Sequence, residues 1–192
     1  MYSAPMLLLL ACVPPPVAAP EPPVLDEAEV HWFTLEGADR IDLLESCLDR
    51  CPTDERGVAV ASLTTWQLRW NWTQAPSDPC AIADTSVDAM VSVALPRWDP
   101  PPEADPALVA EWDRWHARLR YHEQGHVDVV RGFAQDAEAR LAAAGCTNVV
   151  AQADALMDGL RAAQNEYDVA TGSGHTQGAA FWGTQGRALA AE

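Results

Sequence analysis

Apolar and polar positions alternate with two different periods along this chain, and the change of period divides it into two halves. In the first half the period is two. Trp66, Leu68, Trp70 and Trp72 alternate with Gln67, Arg69 and Asn71, and Val87, Ala89, Val91, Val93 and Leu95 alternate again up to Pro96. Such alternation predicts half-buried strands, one over residues 65–73 and a longer one ending at Leu95, separated by the turn residues Ala75-Pro76-Ser77-Asp78-Pro79. Shorter strands are predicted at residues 30–35 and 58–63. Between these two, Ile41, Leu43, Leu44, Cys47 and Leu48 recur at steps of three and four and mark a short helix. Strands joined by short connections pair most simply as a small antiparallel sheet. Its tryptophan-rich face reads as core.

Past Pro100-Pro101-Pro102 the period becomes helical. Asp105 suits an N-cap and Pro106 the first helical position. Leu108, Trp112, Trp115, Leu119, His122, His126, Val129, Phe133, Ala137 and Leu141 then form one apolar stripe, and Gly145 is placed to end it. At 1.5 Å per residue this helix would run for about 55 Å, long enough to predict a bend. A second helix follows over residues 147–167, with Val150, Leu156, Met157 and Leu160 inward. It gives way to the glycine-rich stretch Thr171-Gly172-Ser173-Gly174-His175-Thr176-Gln177-Gly178, which can fold back over the first helix. A β-rich half followed by an α-rich half makes the fold class α+β.

Length and composition add an address. The 192 residues suit one domain over residues 28–192 preceded by a leader. Leu7-Leu8-Leu9-Leu10-Ala11 is too short to span a bilayer and reads as the apolar part of an export signal over residues 1–12. Leu9-Leu10-Ala11-Cys12 resembles a bacterial lipobox, so two readings stand: membrane attachment through a lipidated Cys12, or plain secretion. The proline-rich residues 13–27 then form a stiff linker. Either reading places the domain in the bacterial cell envelope or outside the cell. In an exported protein the remaining Cys47, Cys51, Cys80 and Cys146 suggest two disulfides, and of the three pairings Cys47–Cys51 with Cys80–Cys146 is favoured. The net charge of −16 argues against nucleic acid or anionic lipid as a partner. No feature sets an oligomeric state.

The chemistry resides in His122-Glu123-Gln124-Gly125-His126. Histidines four apart stand about 40° from one another around a helix and one turn apart along it, so both rings can reach one cation. A glutamate beside the first histidine can reach a water on that cation. This is the HExxH arrangement of zinc peptidases, with two ligands and a general base, Glu123. Both histidines lie on the apolar stripe, where a charged glutamate and two imidazoles would be costly without a partner. A catalytic zinc needs a third protein ligand. No histidine follows at the metzincin spacing, since positions 132 and 136 are Gly and Asp. On residue type His175 ranks first, Asp168 second, and Glu166 is a further oxygen donor. Tyr167 is either a core residue closing the second helix or a donor to the oxyanion of a tetrahedral intermediate.

Several segments in this order resemble the bacterial family of predicted secreted zinc-dependent proteases, a domain otherwise of unknown function. They are Trp32 with the residues that follow to Leu44 (WFTLEGADRIDLL), Leu95-Pro96-Arg97-Trp98, Trp112, the HExxH stretch, Cys146, Tyr167-Asp168-Val169-Ala170-Thr171 and Gln177-Gly178-Ala179. The resemblance covers residues 30–182. It implies a zincin-like, exported, zinc-dependent hydrolase acting on peptide or protein substrates. Alternatives of another class are an inactive envelope binding protein of the same fold and a zinc amidase of the cell wall. One position departs from the family pattern, in which Tyr-Asp-x-x-Thr is followed by x-His-Gly: Ser173 stands before Gly174, and the histidine comes at His175.

Overall fold

A computed structural model describes Leu25 and residues 27–181. The expected export signal, the lipobox at Cys12 and almost all of the linker lie outside the described residues. Strand β1 (Glu29–Leu35) leads into helix α1 (Arg40–Arg50), followed by strands β2 (Leu63–Ala75) and β3 (Asp78–Trp98) and the long helix α2 (Pro106–Thr171). A single 3-10 turn, His175–Gln177, follows. No helix among the described residues is long and apolar enough to cross a membrane.

The fold is α+β, but the sheet is mixed rather than antiparallel. Its order is β1-β3-β2, with β3 antiparallel to β2 and parallel to β1. The reason is the connection after β1. Helix α1 and the loop behind it carry the chain to the opposite edge, so β2 starts at the end where β1 finishes. The tight turn at Ala75 then returns β3 between the two, in the direction of β1.

The strand expected over residues 58–63 is also absent as such. Only Thr53 and Ala59 pair there, in an isolated bridge. Asp54 accepts from the N–H groups of Arg56 and Val58, at 2.9 Å each, and closes a local turn that takes up this backbone.

Along β2 the even-numbered residues Thr64, Trp66, Leu68, Trp70 and Trp72 face the same side as their cross-strand partners Val93, Val91, Ala89, Val87 and Thr85. That side is the core. Val93 and Leu95 are fully buried there, with Leu119, Val127 and Val130 of α2 against them. Trp72 and Trp70 cover a second cluster, Ala137, Leu141, Val149, Ala153 and Leu156. The tryptophans therefore serve as core.

Helix α1 turns out narrower in its apolar contact than its sequence pattern. Asp39 caps it, accepting from the N–H groups of Ile41 and Asp42. Leu43 and Cys47 are buried, while Ile41 and Leu48 are exposed. The Cys47–Cys51 disulfide is formed and pins the C-terminal end of α1 to the next loop. Cys80 is also disulfide-bonded. The side chain of Cys146, its expected partner, lies outside the described residues, but the backbone beside it is close: a Cβ on Gly145 would lie 3.4 Å from the Cys80 carbonyl oxygen.

Helix α2 begins as expected, with Asp105 accepting from Ala107 N–H at 2.8 Å and proline at its first turn. It breaks at Gly145, whose φ of 67° and ψ of 166° lie outside the helical region. Glycine alone adopts that conformation without strain. Two arms result, folded back on each other: Phe133 lies against Gly159, His126 bonds Gln164, and Gly125 lies under Tyr167. The second arm continues past Tyr167 to Thr171, a full turn beyond the expected end, and closes on Gly172 in the left-handed conformation.

At the other end of the first arm, Trp98, Trp112, Trp115 and Phe181 pack edge to face. Trp98 Nε1 donates to the Gly37 carbonyl and Trp115 Nε1 to that of Ala179, so these buried rings keep their polar edges satisfied.

The burial of α1 gives a direct check. Leu43→Ala should cost about 2–5 kcal/mol in chemical denaturation. Ile41→Ala, two residues away and exposed, should stay within about 0.5 kcal/mol of the parent.

A candidate metal centre between the arms of the long helix

Because the arms of α2 fold back at Gly145, residues equally far from it on either side meet. His126 thus finds Gln164, and His122 finds Asp168. His122 Nε2 and His126 Nε2 are 3.2 Å apart, and Asp168 Oδ1 is 3.4 Å from the first and 3.3 Å from the second. These three form the metal-competent cluster among the described residues. Ligands about 2.0–2.1 Å from a tetrahedral zinc stand roughly 3.3–3.4 Å from one another. The triangle has the size of one face of that tetrahedron.

The hydrogens are fixed by what surrounds the rings. Gln164 Nε2 donates to the His126 carbonyl at 3.1 Å, so its Oε1 is the atom that faces His126 Nδ1, at 2.5 Å. Tyr167 donates its hydroxyl proton to the His122 carbonyl at 3.1 Å and accepts from Gln177 Nε2 at 3.1 Å. Gln177 Oε1 therefore faces His122 Nδ1, at 2.9 Å. An amide oxygen can only accept, so both Nδ1 atoms carry protons. Neutral rings then point two Nε2 lone pairs and a carboxylate oxygen at one spot. Three acceptors without a proton repel one another unless a cation lies between them.

The electrostatics agree. Burial disfavours a charged His126, yet the hydrogen bond to Asp168 and the charge of Glu123 outweigh it and raise its pKa. Burial likewise works against the Asp168 carboxylate, but its bonds to His122 and His126 hold it well below the usual range. Asp168 also sits in the last turn of a helix, where the backbone dipole favours a cation and none is supplied by a basic side chain. The residues present therefore fit a divalent metal. The His122 and His126 side chains are 6% and 11% exposed and that of Asp168 42%, so the site opens to solvent on the carboxylate side. Held by these three side chains, a tetrahedral cation would keep one position for a water.

Glu123 is buried beside the cluster, and its two oxygens each accept a 2.5 Å hydrogen bond, from Ser62 Oγ and Thr64 Oγ1. Both hydroxyls lie on the core-facing side of the chain entering β2. The sheet thus aims the carboxylate while the helix carries it.

The sequence-derived site is partly reassembled. His122, Glu123 and His126 stand together. His175 does not join them: it is exposed on the 3-10 turn, and the third position of the triangle belongs to Asp168, which had ranked second. Glu166 points outward as an exposed residue. Tyr167 is near the metal cluster, with its ring stacked on His122 at 5.3 Å and edge-on to His126 at 4.8 Å. Its hydroxyl proton is directed to the His122 carbonyl, and burial raises its pKa. Of the two readings of Tyr167, core residue or oxyanion donor, the structure shows its ring packed on His122 and its hydroxyl bonded to the His122 carbonyl.

Ser62, Thr64 and Gln164 carried no signal as single residues. Two regularities contain them. Ser62 and Thr64 continue the even-numbered side of β2 backwards, and Gln164 and Asp168 mirror His126 and His122 across Gly145.

The fold is α+β, and its HExxH helix carries two members of a cluster that could hold a metal ion. Residues 30–176 match the family described as bacterial protein of unknown function (DUF922), and the chain belongs to that family. No curated protein and no solved structure matches it.

Two outcomes follow from this geometry. A Cβ on Gly125 would lie 2.0 Å from the Tyr167 hydroxyl. Gly125→Ala should therefore displace Tyr167 and cost about 1–3 kcal/mol in denaturation. The second concerns pH in metal-free protein. The raised pKa of His126 contributes stability that is complete below its ordinary value of about 6.5 and is lost as pH rises through the raised value. The lowered pKa of Asp168 contributes above about 3.9 and is lost as pH falls towards the depressed value. The site's contribution to Tm should therefore be greatest between about pH 4 and 6.5 without metal. With zinc present it should move to neutral pH and above, because the metal needs His126 unprotonated.

Proposed function

We propose that this chain is an exported, zinc-dependent, zincin-like metallopeptidase of the bacterial envelope, with His122, His126 and Asp168 as the metal ligands. The observation that supports it most is the convergence of two Nε2 lone pairs and one carboxylate oxygen within 3.2–3.4 Å, with both Nδ1 protons directed outward to glutamines. A zinc ion bound there would supply a Lewis acid for an amide carbonyl and lower the pKa of water.

The remaining work falls to the chain's own groups. Glu123 takes a proton from the attacking water and returns it to the leaving amine, which general acid–base catalysis requires of one carboxylate in both directions. Ser62 and Thr64 hold that carboxylate from the sheet side. Tyr167 and Gln177 keep His122 oriented, and Gln164 does the same for His126. In this reading Ser173 costs the site nothing, because the second arm of α2 already delivers an oxygen ligand. The apolar run at Leu7–Leu10 and the lipobox-like Cys12 support export, with lipid attachment or free secretion as its two forms.

Metal analysis of the purified protein tests the reading. One zinc per chain is expected, retained in His175→Ala and lost in Asp168→Asn. Glu123→Gln should keep the metal while hydrolysis falls by about 10²–10⁴-fold. Casein-type and peptidoglycan substrates assayed side by side distinguish a peptidase from a cell-wall amidase. A parent protein without stoichiometric zinc defeats the proposal.

A further inference from the structure

The segment after α2 is tied to the candidate metal centre without offering it a ligand atom. Gln177 accepts from His122 Nδ1 with Oε1, at 2.9 Å, and donates to the Tyr167 hydroxyl with Nε2, at 3.1 Å. Gly174 lies flat on the same imidazole. A Cβ there would be 3.0 Å from Cγ of His122 and 2.9 Å from Cβ of Ala179, and its φ of 79° is one that side-chain-bearing residues rarely adopt.

The segment's other hydrogen bonds are mostly its own or local. His175 N–H donates to Gly172 O, Gln177 N–H and Ala179 N–H donate to Gly174 O, and Thr176 Oγ1 donates to Thr171 O. Towards the first arm of α2 its polar grip is Gln177 on His122, together with Trp115 Nε1 on the Ala179 carbonyl. The residue that fixes the tautomer of one histidine is therefore also the side chain of residues 172–178 that ties them to the first arm, while Trp115 holds the chain just beyond at Ala179.

We infer that residues 172–178 form a clasp coupled to the metal through Gln177: docking of the clasp raises metal affinity, and bound metal tightens the clasp. This rests on the metal reading above. The physical argument is linkage. A ligating imidazole must present Nε2 as a lone pair, which requires the proton on Nδ1 and rewards an acceptor for it. Gln177 is that acceptor only when the clasp is docked. Whatever factor it adds to metal binding, the metal must add to docking, because coupling between two equilibria is reciprocal. Gln164 gives His126 the same support from within α2, so the two histidines are secured by unequal means. Gln177 is a positioning residue, and its amide oxygen is the atom that matters.

The test uses the full chain with zinc alone, comparing parent, Gln177→Leu and Gln177→Glu. Two readouts are needed: zinc affinity by competition with a chelator, and amide hydrogen exchange over residues 174–178 with and without zinc. In the parent, zinc should slow exchange in this segment. Gln177→Leu removes the acceptor at similar size and should weaken zinc by about 10- to 100-fold and abolish the zinc-dependent protection. Gln177→Glu keeps an oxygen facing Nδ1 and should bind zinc at least as tightly as the parent.

Equal affinity and equal protection in the parent and Gln177→Leu would overturn the clasp and leave the metal site standing. Loss in Gln177→Glu matching that in Gln177→Leu would also overturn it, since packing and not the acceptor would then be at work. A parent that binds no zinc overturns both the clasp and the metal reading. If Gln177→Leu fails to fold, the comparison of parent and Gln177→Glu with and without zinc decides the matter.

Discussion

Everything in this molecule is arranged around three electron-rich atoms that repel one another. Two imidazole nitrogens and a carboxylate oxygen are held within 3.4 Å, with their protons directed elsewhere. Such a convergence is unfavourable by itself, and it persists only because each member is fastened from behind. Glutamine oxygens hold the two Nδ1 protons, and a tyrosine hydroxyl holds the backbone of the first histidine. In the absence of metal a proton on His126 relieves the repulsion, which is why that ring's pKa is raised although it is buried. A proton and a divalent cation would be alternative occupants of one electrostatic hole.

The rest of the fold can be understood as the frame for that hole. The two arms of α2 supply ligands and outer supports. Thr64 of β2 and Ser62 just before that strand keep Glu123 from turning away. Below the site, β3 buries Val93 and Leu95 against the first arm, and the tryptophans of β2 fill the space beneath the second. Above it, the aromatic group around Trp112 and Trp115 anchors the chain's last described residues, with the Arg40–Glu111 ion pair alongside. The small residues of the site have a common purpose: Gly125 admits the tyrosine and Gly174 admits the loop.

Periodicity carried most of the architecture, because burial of one face imposes it directly. The alternation at Trp66–Trp72 and the stripe through His122 and His126 both became core-facing surfaces. What periodicity does not encode is direction. Whether β1 runs with or against β3 depends on where α1 delivers the chain, and no residue of β1 registers that, so the sheet was expected to be antiparallel and is mixed. The site divides in the same way. His122, Glu123 and His126 are local in sequence and were legible. The third member of the cluster, Asp168, is not local, and ranking candidates by imidazole chemistry favoured His175 over it. The structure brings Asp168 and not His175 beside the two histidines, since residues meet across a fold-back by their distance from its turn, and His175 lies past the end of the helix that makes the match.

That dependence makes Gly145 a pivot with two long levers. His122 and Asp168 are equally far from it along opposite arms, which at 1.5 Å per residue is about 35 Å. A rotation of one degree at the pivot moves the far end by roughly 0.6 Å over a lever of that length, and a catalytic constellation tolerates about 0.5 Å. The hinge therefore cannot by itself define the triangle; its error would be magnified too far. Precision has to be restored along the way, by Leu141 and Val149 near the pivot, by Phe133 seated on Gly159 midway, and by Gln164 bonded to His126 one turn short of the tip. Substitutions far down the hairpin would then act on the ligand triangle as angular error, growing with each turn between the change and the turn of helix that corrects it.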